Sequence, residues 1–187
     1  MDEKNEKYIV NHLNVLENAR LTNAVIAVFN KMIDIKDGQG CAMYSFILKV
    51  IFKYFGIESE VKYGLCYFRT GKEAYHAWLD VYNKVIDIAI YGNSRYNPAF
   101  MAIDEKKYDV VIMEDYNEAL IKYTEDIDED VNASFVPQLV NGSKKYYLNM
   151  PKELKETVKN IICSCLGISI TTKNLCDIEQ IIKRFSN

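Results

Sequence analysis

Residues 43–54 carry the pattern that most constrains this chain. Met43, Phe46, Ile47, Val50, Ile51 and Tyr54 recur at i, i+3, i+4, i+7, i+8 and i+11, which is one unbroken apolar face of a helix. Gly56 follows, a residue suited to the left-handed conformation that ends helices. A face of this length needs cover along its whole extent, so the segment reads as a buried central helix. Cys41 stands at its very start, behind Asp37-Gly38-Gln39-Gly40, which breaks the preceding pattern and forms a tight loop.

The flanks say what surrounds that helix. Residues 5–34 read as helical, with Tyr8, Ile9, Leu13 and Leu16, then Val25, Ile26, Phe29, Met32 and Ile33, at helical spacing. A break is expected near residues 20–23, with Thr22 or Asn23 as cap. Beyond Gly56, Ser59–Phe68, Tyr75–Val81 and Lys84–Ile90 are rich in β-branched and aromatic residues and give an antiparallel meander, with a turn at residues 69–72. Residues 91–98 read as a loop and Tyr108–Met113 as a further strand. Glu114–Val131 reads as an acidic, partly helical and solvated stretch, with flanking of a cleft as the alternative. Asn141-Gly142 marks a hairpin between residues 135–140 and 144–148, with Pro137 confining its strand to an edge. Pro151 starts a helix that ends before Gly167, and a last helix covers about residues 174–185. The class is α+β. One domain over 1–187 is the simplest division, with a core at about 20–113 and a C-terminal extension at about 114–187.

Composition narrows the chemistry. A chain of 187 residues with 49% hydrophobic content needs no disulfide or metal to hold a core. The formal net charge of -3 gives no electrostatic reason to expect nucleic acid as partner. No run of about 18 apolar residues occurs, so no membrane-spanning helix is expected. The charged start, residues 1–7, lacks the apolar segment of a signal peptide. Five cysteines at irregular spacing suit free thiols in a reducing compartment. The expected location is therefore cytoplasmic. Cys163 and Cys165 lie two residues apart on a helix and point to opposite sides, and with only two histidines a zinc site is not expected. His12 reads as a surface or boundary residue. No cofactor motif is present; Gly38-Gln39-Gly40 lacks the length and the lysine of a phosphate loop.

What remains is Cys41, His76 and Asp87. A cysteine at a helix N-terminus faces unpaired backbone N–H groups and the positive end of the helix dipole. Beside an imidazolium, such a thiol titrates at about 3.5–7.5 instead of about 8.5. Its own N–H would point to where an oxyanion develops. With a hairpin turn on Tyr82-Asn83, Asp80 pairs with Val85 and Trp78 with Asp87. His76 and Asp87 then share a face as diagonal neighbours about 7–8 Å apart, within side-chain reach. A turn on Asn83-Lys84 would separate them. Asp87 is flanked by Val85, Ile86, Ile88, Ala89 and Ile90, and a carboxylate buried among these needs a partner. His76 is the first candidate, and Asp80 competes with Asp87 for it. Thiol, imidazole and carboxylate together make a nucleophilic triad. Gln39 is either a second oxyanion donor or an ordinary loop residue. Trp78 shares the face of His76 and either shields the imidazole or fills the core. Cys66, Cys163 and Cys176 read as core or boundary thiols.

These stretches resemble the transglutaminase-like superfamily. The matching residues are Gly40-Cys41 with Ser45 and Leu48, Gly56-Ile57, Gly64, His76-Ala77-Trp78-Leu79-Asp80-Val81 and Ile86-Asp87. The match covers about residues 38–90, in the order Cys, His, Asp. It implies a papain-like core, with N-terminal helices, a central Cys-bearing helix packed on an antiparallel sheet, and extra C-terminal helices. It also implies Cys41 as nucleophile, His76 as base and then acid, and Asp87 as orienter. Two departures stand out. Ile88-Ala89 follows the aspartate where that family often has Pro-Thr, and nothing after residue 90 aligns. Arylamine N-acetyltransferases share the triad order, but their arginine- and glycine-rich lead into the cysteine is missing.

The function expected on these grounds is a cysteine protease or amidase. It would cleave an amide or peptide bond in a peptide, a protein or a small amide through an acyl-thioenzyme. Alternatives are an acyltransferase that resolves the thioester with an amine, and a catalytically silent peptide-binding module of the same fold. A third is a precursor whose extension beyond residue 130 covers the cleft.

Overall fold

Asp2 and Asn18 open the helical part of the chain. The Asp2 carboxylate accepts from the Asn5 N–H at 3.2 Å to cap α1 (Glu3–Leu13), and the Asn18 side chain accepts from the Leu21 N–H at 3.0 Å to cap α2 (Ala19–Asp34). The break between them is earlier than the expected residues 20–23. A short 3-10 turn, Asn14–Leu16, leads to Glu17 in the left-handed region, and Asn18 caps instead of Thr22 or Asn23. Thr22 is drawn inside α2, where its hydroxyl donates to the Asn18 carbonyl at 3.3 Å. The computed structural model describes residues 2–38, 40–68, 70–104, 106–116, 121–125 and 147–184.

The central helix, α3 (Cys41–Tyr54), runs as its periodicity predicts, and Gly56 follows its C-cap with φ +77. Phe46, Ile47, Val50 and Ile51 are buried on it. Each such side chain contributes about 1.5–3 kcal/mol on burial, so this face anchors the fold. It packs between α2 and one face of an antiparallel, curled five-stranded sheet: β1 (Glu60–Tyr67), β2 (Glu73–Val81), β3 (Lys84–Asp87), β4 (Val111–Asp115) and β5 (Lys122–Thr124), in the order β4-β3-β2-β1-β5. Val61, Leu79, Val81 and Ile86 meet the helices on that face. Cys66, Trp78, Val85, Val111 and Tyr123 point the other way, into a smaller aromatic cluster with Phe68, Phe100 and Tyr108. Because both faces are covered, His76, Ala77, Trp78 and Leu79 are buried in succession rather than alternately.

The β2–β3 turn is centred on Tyr82 and Asn83, both left-handed at φ 57 and 59, which is the turn geometry that matches strand twist. Asp80 faces Val85 and Leu79 faces Ile86, the register that brings His76 toward Asp87. The expectation fails just beyond. The third strand ends at Asp87 rather than Ile90, and the stretch expected as a loop, residues 91–98, is helical apart from the extended Asn97: α4 (Ala89–Tyr96) and α5 (Pro98–Ile103) follow at once. Gly92 makes α4 a poor helix by propensity, at about 1 kcal/mol relative to alanine. Tertiary contact decides instead, since a Cβ on Gly92 would sit 2.4 Å from the Asp37 carbonyl oxygen.

Two more expectations are corrected. The last strand of the meander is Val111–Asp115, slightly later than 108–113. Within the stretch expected to be acidic, helical and solvated, residues 122–124 form β5, and Tyr123 is buried. Gly64 lets β5 in: a Cβ there would lie 1.7 Å from the Thr124 carbonyl oxygen. The hairpin expected around Asn141-Gly142 lies outside the described residues, except that residues 147–149 are helical rather than extended.

The C-terminal helices α6 (Lys152–Cys165) and α7 (Thr172–Lys183) fall close to their expected positions, with Gly167 left-handed after the first. Val158, Ile162, Cys163, Ile178 and Ile182 join the same apolar cluster as Phe29 and Ile47. These helices are part of the core.

Candidate active site

Three elements converge on one imidazole. Cys41 is the first residue of α3, and its N-cap, Gly40, brings no side chain to the open N–H groups of the first turn. His76 comes from β2 and Asp87 from the end of β3. His76 and Asp87 are fully enclosed as side chains, and Cys41 is partly buried.

Asp87 accepts from His76 Nε2 at 2.7 Å through Oδ2. The same oxygen accepts from the Tyr123 hydroxyl at 2.8 Å, and Oδ1 accepts from the Ile90 N–H at 3.0 Å. Three donors thus converge on one buried carboxyl. The Cys41 thiol is in hydrogen-bonding reach of the same imidazole. The Ser45 hydroxyl ties α3 to β2 by donating to the Ala77 carbonyl at 3.2 Å, next to His76.

The electrostatics follow from this packing. Burial by itself pushes the Cys41 thiol up and Asp87 adds to that. The His76 imidazolium and the Ala77 backbone outweigh both, and the thiol is held below its ordinary value. Burial pulls the imidazolium of His76 down, but the Asp87 and Cys41 anions prevail and raise it to about 10. Each ionised partner stabilises the other, so the geometry favours a thiolate–imidazolium pair. Cys66, on the adjacent strand, is fully buried and pushed up by desolvation and by the Asp87 and Cys41 charges, so it behaves as an inert thiol.

The sequence-level candidates separate cleanly. Cys41, His76 and Asp87 meet. Asp80 does not compete for the imidazole: it accepts from the Tyr116 hydroxyl at 2.7 Å and from the Asn83 N–H at 3.2 Å, holding the hairpin. Trp78 is fully buried and fills the aromatic cluster; its indole N–H donates to Tyr116 and its ring lies 5.0 Å from that of Tyr123. The Phe100 ring lies 6.3 Å from that of His76. Gln39 lies outside the described residues. His12 is half-buried on α1, and Cys163 and Cys165 share no ligand geometry; among the described residues no cluster of three His, Cys, Asp or Glu could hold a metal.

Two residues at the site escape sequence reasoning. Tyr123 could have been found from the alternation Ile121-Lys122-Tyr123-Thr124, a half-buried strand signal hidden in an acidic stretch. Asn93, 4% exposed on α4 and 3.2 Å from His76 Nδ1, carries no such signal. No protein-family description, curated protein or solved structure matches this chain.

Proposed function

We propose that this protein is a cysteine hydrolase that cleaves an amide or peptide bond through an acyl-thioenzyme, on a papain-like core of the transglutaminase-like type. The observation that carries the reading is the aligned Cys41, His76 and Asp87, with Asp87 accepting three hydrogen bonds behind the imidazole. Structural roles alone do not call for a partly buried thiol at a helix N-terminus backed by a buried ion pair.

The Cys41 thiolate adds to the substrate carbonyl carbon, forming a C–S bond and an oxyanion beside the N-terminal N–H groups of α3. Collapse breaks the C–N bond. The leaving amine takes the His76 Nδ1 proton, and a thioester remains. Water then gives a proton to His76 and its oxygen to the carbonyl. The C–S bond breaks, the acid departs, and thiolate and imidazolium are restored. An amine in place of water makes the same site an acyltransferase. Peptides, proteins and small amides are the substrate classes that this chemistry admits. All five thiols are free, which fits a reducing, cytoplasmic setting. No helix among the described residues is long and apolar enough to cross a membrane.

The test is the pH dependence of Cys41 alkylation, mapped by peptide mass spectrometry against the other four thiols. Labelling well below pH 7 that slows in His76→Ala supports the reading. Labelling only near pH 8.5 would replace it with the silent binding module. Turnover with and without a primary amine separates the two enzymes: acid release that ignores the amine identifies the hydrolase.

A further inference from the structure

The loop that presents Cys41 is held by the helix that follows Asp87. Gly38 is pressed on the end of α4, where a Cβ would meet the Asn97 nitrogen and the Tyr96 carbonyl carbon at 2.5 Å; Gly92 is pressed on the Asp37 carbonyl from the other side. Between these contacts stands Asn93. Its amide nitrogen donates to the Gly38 carbonyl at 3.0 Å and the Ala89 carbonyl at 3.1 Å, and its Oδ1 faces His76 Nδ1 at 3.2 Å. The reverse orientation would set the amide oxygen against two carbonyls, so these fixed acceptors decide which end faces the imidazole.

That orientation has a consequence for the proton. An amide oxygen at Nδ1 can only accept, so Nδ1 must carry hydrogen. The Asp87 carboxylate at Nε2, already accepting from Tyr123 and Ile90, requires hydrogen there too. A ring protonated on both nitrogens is the imidazolium. Resting on the proposed acyl-thioenzyme chemistry, we infer that Asn93 is a positioning residue: it holds His76 in the doubly protonated form that pairs with the Cys41 thiolate, and it ties the nucleophile loop to that same ring. The other titratable groups facing the pair are Asp87 from β3, Tyr123 from β5 behind it, and Cys66 from β1.

The experiment uses the full chain labelled with 15N-histidine, in which only His12 and His76 report. In the wild type at pH 7, both His76 nitrogens are expected to be protonated. In Asn93→Ala the Nδ1 resonance shifts, and the midpoint of Cys41 alkylation by iodoacetamide rises by about one pH unit, the size expected for loss of one charge-assisted hydrogen bond. Asn93→Asp restores an acceptor at Nδ1 but no donor to Gly38. It should return the midpoint to the wild-type value or below while turnover stays reduced, a split that a purely structural role would not produce. An unprotonated Nδ1 in the wild type overturns the inference, even if Asn93→Ala does not fold. So does an Asn93→Ala protein whose resonance and midpoint both match the wild type. A wild-type thiol that labels only near pH 8.5 would instead sink the acyl-thioenzyme reading, and the Nδ1 resonance would still decide the role of Asn93.

Discussion

The two faces of the sheet are built on different terms. Against α3, Leu79, Val81, Val61 and Ile86 pack into an apolar layer that continues into α2, α6 and α7. On the other face, aromatic packing around Trp78, Phe100, Tyr108 and Tyr123 is threaded with directed hydrogen bonds, from Tyr123 to Asp87, Trp78 to Tyr116 and Tyr116 to Asp80. The first face tolerates any well-packed apolar set of the right volume. The second has polar atoms with assigned partners, and a lost partner there strands a buried group. Stability is therefore concentrated on one face and chemistry on the other, with Cys41 at the helix end reaching from the first to the second.

Mutations should respect that division. The largest effect is expected from Cys41→Ala, which removes the nucleophile: turnover should fall by about a thousandfold or more with the circular dichroism spectrum unchanged. Residual turnover near the wild-type rate would break the assignment of this thiol. Ile47→Ala on the α3 face should do the reverse, costing about 2–5 kcal/mol in urea unfolding while the surviving folded fraction keeps its turnover. Loss of turnover per folded molecule would show that the two faces are not separable.

The pH profile sharpens the same contrast. Turnover should rise as Cys41 ionises at its lowered value and fall as the His76 imidazolium is lost near 10. The sign for stability follows from the same group. The unfolded imidazole gives up its proton near its ordinary 6.5 and the folded one at about 10, so its contribution is complete below 6.5 and vanishes as pH rises through about 10. A turnover profile that begins to rise only near pH 8.5 would mean that no such pair exists.

Smaller effects test the supporting bonds. Tyr123→Phe removes one of three donors to Asp87, and kcat/KM should drop by about tenfold, with a cost of about 1–3 kcal/mol in urea unfolding. Asp80→Asn, which touches the hairpin and not the imidazole, should leave kcat/KM within about twofold. A larger loss from Asp80→Asn than from Tyr123→Phe would reverse the assignment of the orienting carboxylate.

How much of this was legible beforehand depends on the range of the interaction. Helix α3, its Gly56 stop and the Tyr82-Asn83 turn are written in local periodicity and turn chemistry, and these three alone bring Cys41 to a helix start and set His76 toward Asp87. Helix α4 is not legible locally because Tyr-Gly-Asn-Ser has loop propensities, which the close fit of Gly92 on Asp37 overrides. Strand β5 is hidden because its acidic neighbours mask a three-residue alternation.

The sequence by itself determined the α+β class, the central helix, the hairpin register and three residues able to form a triad, since each rests on spacings of a few residues along one element. Tertiary structure alone decided which groups complete the site. Tyr123 lies 36 residues from Asp87 and Asn93 17 from His76, distances over which no periodicity operates. Their hydrogen bonds exist because β5 slides in beside a glycine and α4 folds back on the nucleophile loop, and both are consequences of packing volume, which a linear pattern does not encode.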